Sequence, residues 1–339
     1  MTRAARRRPS RRAVLAAILA VGGARALNAA PQRHRIALAN LDETLAVTLN
    51  GLGFTGADVR SGFELAARRL PVDMLFFDNA NDPARALANA DAAIAARVDL
   101  LIEYGPDADS NSEIARRLSA AGVPALALVE PLPGAPRYAP DNLEAGRIAG
   151  RALGEFAQET WPDSKAVGVI IGDLADPSQA VRERVKGIVQ GAQGALPGFA
   201  FAMLDTGGQS MRAGPLLTKF LTTERGRRVL IATLDDLCAI YARNAIALNG
   251  RQSDCVVVSQ GCDRNIHGGI NDKKELDPAN RGGSVLGSVA YYMDRYGYEV
   301  LALALRLLDG EMLPPLTLTR HKLITAANVF QEYPPMDVN

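Results

Sequence analysis

The stretch GVPALALVEPLPGAPRYAPDNLEAGRIAG, residues 122–150, decides how this chain folds. Gly122 suits the left-handed position that ends a helix, Pro124 forbids the helix from resuming, and residues 125–129 form an apolar run of strand length. Glu130 follows at the end of that run. Four prolines between Pro131 and Pro140 predict a stiff, extended link that belongs to neither helix nor sheet. Asp141 or Asn142 then caps a helix whose Leu143, Gly146, Ala149, Gly150 and Leu153 share one face, with residues small enough to lie close against a sheet or another helix. One strand-helix unit closes here, and the polypeptide crosses into a second lobe.

Working outward from this crossing, apolar runs of strand length alternate with amphipathic segments of helix length from residue 35 onward. Strands are predicted at 35–41, 72–78, 99–104, 125–129, 166–172, 199–205, 229–234 and 255–259. Helices are predicted at 57–70, 83–97, 110–121, 143–160, 177–195, 211–223 and 236–248. Such alternation calls for parallel sheets with helices on both faces, and a nearly continuous apolar strand such as 167–171 fits burial on both sides. The fold class is therefore α/β, with two doubly wound parallel-sheet lobes joined by a hinge that the chain crosses several times. A late strand at 283–291, a long helix at 295–308 and the segment 319–325 would carry the chain back and across again. The boundaries that follow are 31–139 plus 292–320 for the first lobe, and 140–291 plus 321–339 for the second.

With 339 residues, 48% hydrophobic and 22% charged, the chain can bury the core of two domains. Its formal net charge of +1 conceals an asymmetry, because seven arginines and no acid fall within the first 30 residues, leaving the remainder at −6. An apolar run at 13–21 and the small residues Ala24, Ala26, Ala29 and Ala30 turn this basic start into the pattern of a secretory signal peptide rather than a nucleic-acid arm. Residues 1–30 are assigned to it. The segment Ser10-Arg11-Arg12-Ala13-Val14-Leu15 also resembles the twin-arginine export motif. A membrane anchor is the alternative, but the run is well short of the roughly 20 residues that a spanning helix needs.

Three cysteines then face an oxidising compartment. Cys255 and Cys262 bracket one predicted strand and stand roughly 23 Å apart, too far to bond. Cys238 and Cys262 fall near the carboxyl ends of neighbouring strands, which leaves their pairing open; the plainer reading is three buried free thiols. His34, His267 and His321 are scattered, and neither they nor the cysteines have metal-ligand spacing. No nucleophile elbow, phosphate loop or dinucleotide fingerprint occurs, so neither an enzyme nor a cofactor is indicated.

Several motifs, in this order, resemble type I periplasmic sugar-binding proteins, the family of the ribose-binding protein. They are Asp78 with Asn81-Asp82-Pro83-Ala84, the run Gln179 to Gly187 with its Arg182, Ile231-Ala232-Thr233-Leu234-Asp235-Asp236, and Tyr296-Gly297 with Leu308-Asp309-Gly310. The strand, Pro-rich link, Asp-Asn and Gly-Arg-Ile-Ala-Gly of the opening stretch resemble that family's first lobe crossing. This resemblance spans roughly residues 35–330. It implies a monomeric periplasmic protein that closes on a small polar ligand, a carbohydrate, and delivers it to the membrane permease of an ABC importer without a cofactor. A sensor that signals to a membrane kinase, or an enzyme using the same cleft, would share the fold.

Ligands of open α/β sheets bind beyond the carboxyl ends of the strands. That rule selects Asp42, Tyr104, Glu130, Asp173, Asp235, Gln260 and Tyr291, and the resemblance adds Arg182 as its ligand arginine. Carboxylates and amides suit hydroxyl groups, and an aromatic face covers the apolar side of a sugar ring. Each has a plainer role available: Arg182 can pair on a solvated face, Asp235 can be a helix cap, and Tyr104 and Tyr291 can be packing. Val129-Glu130 stands where the family has an Asp-Arg pair, Leu234 where it has a ligand asparagine, and Leu45-Ala46-Val47-Thr48 offers none of its stacking aromatics, so ribose is not implied.

Overall fold

The structure, a computed structural model, describes residues 33–43, 54–162, 165–267, 275–276 and 283–333. The export signal and the segment Leu45 to Thr48 lie outside the described residues. Two six-stranded sheets organise the chain. The first contains β1 (His34–Asn40), β2 (Val72–Asp78), β3 (Leu100–Glu103), β4 (Ala125–Leu128), β5 (Arg137–Pro140) and β11 (Leu316–Thr319), in the order β11-β5-β4-β3-β1-β2. The second contains β6 (Ala166–Gly172), β7 (Phe201–Asp205), β8 (Arg228–Thr233), β9 (Cys255–Gly261), β10 (Val285–Ala290) and β12 (Lys322–Thr325), in the order β12-β10-β9-β8-β6-β7. All pairings are parallel except β10 with β12. This is the expected pair of doubly wound lobes, each with its strand order reversing beside its first strand.

Helices α1 (Gly56–Ala67), α2 (Pro83–Ala95), α3 (Ala108–Ala121), α4 (Asn142–Thr160), α5 (Gln179–Ala195), α6 (Ala213–Thr223), α7 (Asp236–Leu248), α8 (Arg264–His267), α9 (Tyr296–Leu308) and α10 (Val329–Glu332) complete the chain. Their starts are set locally. Asp82, Asp107, Asp141, Ser178 and Asp235 each accept a backbone N–H of the first turn, and Pro83 opens α2 where a missing N–H costs nothing. Gly122 ends α3 at φ 68°, as its place before Pro124 requires.

Alternation along the strands sends Ile36 and Leu38 to one face of the first sheet and Ala37 and Ala39 to the other, where α2 and α3 cover them. Helices α6 and α7 cover the corresponding face of the second sheet. The remaining faces carry α1 and α9 on the first sheet and α4 with α5 on the second, in one continuous apolar cluster.

One expectation is corrected. Residues 137–140 of the Pro-rich link are a strand, β5, lying between β4 and β11. Proline removes a donor but keeps its carbonyl, and here the carbonyls are what the ladder uses: Pro136 O accepts from Ala127 N–H at 2.9 Å, and Pro315 O from Arg137 N–H at 3.0 Å. The segment 319–325 divides at Arg320-His321, its first part in β11 and its second in β12.

The path between sheets follows. The chain leaves the first sheet after β5 for α4, returns after β10 to α9, and crosses a third time between β11 and β12.

Candidate ligand-binding site

The carboxyl ends of the strands gather most of the buried polar side chains. Asn40, Asp42, Asn79 and Glu103 lie there in the first sheet, and Thr233, Asp235, Asp236, Gln260 and Asp263 in the second. Backbone strain concentrates at the same edges. Val129 and Cys262 adopt positive φ (63° and 58°) immediately after β4 and β9, and Tyr292 (54°) does so two residues after β10. For a β-branched or bulky residue this conformation is costly and persists only when the surroundings enforce it.

Among the sequence candidates, Tyr291 and Gln260 meet. Both are fully buried, and the Tyr291 hydroxyl donates to Gln260 Oε1 at 2.8 Å while its oxygen stands 3.4 Å from Asn142 Oδ1. The other end of the Gln260 amide, Nε2, is buried with no partner among the described residues. Tyr104, from the opposite edge, comes into the same neighbourhood through Tyr296. Burial first of all, and then Tyr138, Tyr104 and Tyr291 close by, hold the Tyr296 phenol well above its ordinary range. Tyr138 meets Tyr296 edge to face with ring centroids 5.1 Å apart.

Asp235 is buried and its carboxylate caps α7, accepting from Cys238 N–H at 2.7 Å. Desolvation raises its pKa, opposed chiefly by the cap hydrogen bonds and then by the Arg184 cation. Asp236, beside it, is wholly internal: it accepts from Ser259 Oγ at 2.5 Å, Ser288 Oγ at 2.7 Å and Asp263 N–H at 2.6 Å, tying β9 and β10 to the start of α7. Asp42 is buried at the end of β1, Asp173 is half-buried after β6, and Glu130 stands exposed after β4. Arg182 is exposed on the first turn of α5, its guanidinium donating to Pro177 O. Among the described residues, Asp173, Glu130 and Arg182 are not brought into contact with the Tyr291–Gln260 pair.

Sequence reasoning passes over Arg184 and Asn142. Arg184 is buried and donates to Leu234 O at 3.0 Å. Two positions on a helix turn a side chain by about 200°, so Arg182 and Arg184 must face opposite ways. Gly187, one turn on from Arg184 and packed against α4, marks which face goes in. Asn142 follows the cap residue Asp141 and by sequence reads as a hinge position only. The three cysteines are buried free thiols. Groups of His, Cys, Asp or Glu able to hold a metal ion do not occur among the described residues.

Comparison with known proteins agrees with this architecture. A Rhizobium meliloti protein named for rhizopine binding is 28% identical over 284 residues, 81% of this chain and 87% of that protein. An ABC transporter solute-binding protein from Actinobacillus succinogenes, solved with bound D-allose, superimposes with a TM-score of 0.68 at 15% identity, covering 89% of this chain and 100% of its own. One from Bacillus halodurans with bound myo-inositol gives 0.61 at 18%, covering 91% and 99%. The family model described as periplasmic binding protein domain matches residues 45–312, most of the length over which the two sheets are built, and the chain belongs to that family.

Proposed function

We propose that this chain is an exported solute-binding protein that captures a sugar or polyol between the carboxyl edges of its two sheets and presents it to the permease of an ABC importer. It acts as a monomer, without a cofactor and without turnover. The observation that carries the reading is the Tyr291–Gln260 pair, a donor and acceptor set aimed from a strand end and flanked by Asn142 and by tyrosines from the opposite lobe. Hydroxyl groups on a small ring suit such a set, because each can donate and accept, and the aromatic faces cover the ring's apolar side. Ligand contacts drawn from both lobes favour a closed arrangement, and a membrane partner can distinguish closed from open. Among the described residues no helix is long and apolar enough to cross a membrane.

Native mass spectrometry of the purified protein, followed by a thermal-shift panel of sugars, polyols, amino acids and carboxylates, tests the reading. A ligand at 100 times its dissociation constant adds about 2.7 kcal/mol of stability, a shift of several degrees. Sugars or polyols should give that shift. If only amino acids or carboxylates give it, the carbohydrate assignment fails.

A further inference from the structure

His321 sits where the chain crosses between the sheets for the third time, and it touches the other two crossings. The backbone N–H of Asp141, on the first crossing, points at His321 Nε2 at 3.0 Å. On the other side of the ring, Nδ1 lies 3.0 Å from the carbonyl oxygen of Ala290, where the second crossing begins. The imidazole also packs on the Tyr291 ring, with centroids 4.6 Å apart. These contacts fix the proton. A backbone N–H can only donate, so Nε2 must present its lone pair and the proton must reside on Nδ1, which donates to Ala290 O.

We propose that His321 is a proton-operated latch of the hinge: as the neutral Nδ1–H tautomer it ties the three crossings together and seats Tyr291 at the ligand edge, and protonation releases the first crossing from the other two. The chemistry is a donor conflict. An imidazolium carries hydrogen on both nitrogens, so its Nε2–H would confront the Asp141 N–H with no acceptor between them. The titratable groups that act on the ring are the Asp141 and Glu144 carboxylates, from the first crossing and α4, and the Tyr291 phenol from the second; on its own segment Arg320 and Lys322 flank it in sequence, and the Lys322 ammonium is paired with Glu332. Burial lowers its pKa from the ordinary 6.5, with the Ala290 carbonyl and the Asp141 and Glu144 carboxylates pulling the other way. The latch is thus closed at pH 7 and opens only as the pH falls below the ordinary imidazole value. Its consequence for ligand retention rests on the function proposed above; the latch itself does not.

The experiment uses the full chain without ligand. With only three histidines, His34, His267 and His321, the His321 imidazole nitrogens are assigned by comparison with a His321→Gln variant. Nitrogen-15 NMR at pH 7.5 should show an unprotonated Nε2 that titrates below pH 6.5. Spin labels on Ser119→Cys in α3 and Lys219→Cys in α6, both exposed, report the distance between lobes. That distance should change or broaden between pH 7.5 and 5 in step with the His321 titration, and stay constant in His321→Gln. An Nε2–H tautomer at pH 7.5, a titration with no change in distance, or the same change in the glutamine variant would overturn the proposal. Should the variant not fold, the tautomer and the distance titration of the native residue still decide. If the latch behaves as stated while no sugar or polyol binds, the function falls and the latch stands.

Discussion

At the end of β3, Glu103 is 1% exposed and accepts a single hydrogen bond, from Asn79 Nδ2 at 2.9 Å, while its Oε2 has no partner among the described residues. Burial pushes its pKa up to about 8, with the Asn79 hydrogen bond opposing. The folded state therefore holds this proton where the unfolded chain, with an ordinary carboxyl near 4.5, has lost it. Stability from this group is complete below about pH 4.5 and is lost as pH rises through 8. Replacing Glu103 with Gln keeps the Asn79 contact and removes the ionisation. Thermal melts from pH 5 to 9 should show the wild type losing a few kcal/mol relative to Glu103→Gln, with most of the divergence below pH 8. Parallel curves would show that the carboxyl is not held protonated. Asp236 is also held well above its ordinary range, by burial and then by the neighbouring Asp263 carboxylate, but unlike Glu103 it has two hydroxyls and an N–H converging on it. Asp236→Ala strands these donors in the interior and should cost roughly 3 kcal/mol or more in urea unfolding. Looking beyond the strand ends finds Tyr104 and Tyr291 but passes over Glu103, the last residue of its strand, whose burial leaves one carboxylate oxygen without a partner among the described residues. Nothing in the order of residues announces that.

The α4–α5 contact shows what a sequence reveals at the scale of elements. Gly146 and Gly150 on α4 meet Gly187 and Gly191 on α5, and a Cβ built on Gly150 would stand 2.0 Å from Ile188 O, one on Gly187 2.2 Å from Leu143 O. The spacing of four places these glycines on one face, so the close approach is legible in the order of residues alone. Substituting Gly150 by Ala should force the backbones apart and cost about 3 kcal/mol or more, despite alanine's better helix propensity. Gly194, near the end of α5 with nothing within 4 Å of its missing Cβ, is the control. There, alanine should stabilise by roughly 0.5–1 kcal/mol. Thermal melts of the two variants separate backbone contact from propensity, and equal effects would refute the contact. Strand β5 is not legible because its prolines argue against a ladder, while its actual role depends on the carbonyls that proline retains. What is hidden at the third crossing is not its place but its fastening: the partners that hold it at His321, Asp141 and Ala290, lie 180 and 31 residues away.

For the molecule as a whole, the two lobes are legible because alternating strand and helix repeats on either side of residues 122–150, and local pattern suffices to write a doubly wound sheet. The ligand set is less so, since it depends on which side chains from separate lobes converge. Arg182 offers the decisive test at this scale. Its side chain is exposed and donates to Pro177 O, so Arg182→Ala should leave the melting temperature of the ligand-free protein almost unchanged, within about 0.5 kcal/mol. If closure brings that guanidinium onto a bound sugar, the same substitution should weaken binding about tenfold or more, the loss of a charge-assisted hydrogen bond worth about 1.5–3 kcal/mol. Closure itself is read separately by small-angle scattering, as a fall in the radius of gyration when the panel's best ligand is added to the wild type. Smaller closure in Arg182→Ala at saturating ligand would mean that the arginine helps hold the lobes shut. Full closure with weakened affinity would mean that it acts within one lobe. Unchanged affinity would remove Arg182 from the site and leave the Tyr291–Gln260 pair as its centre.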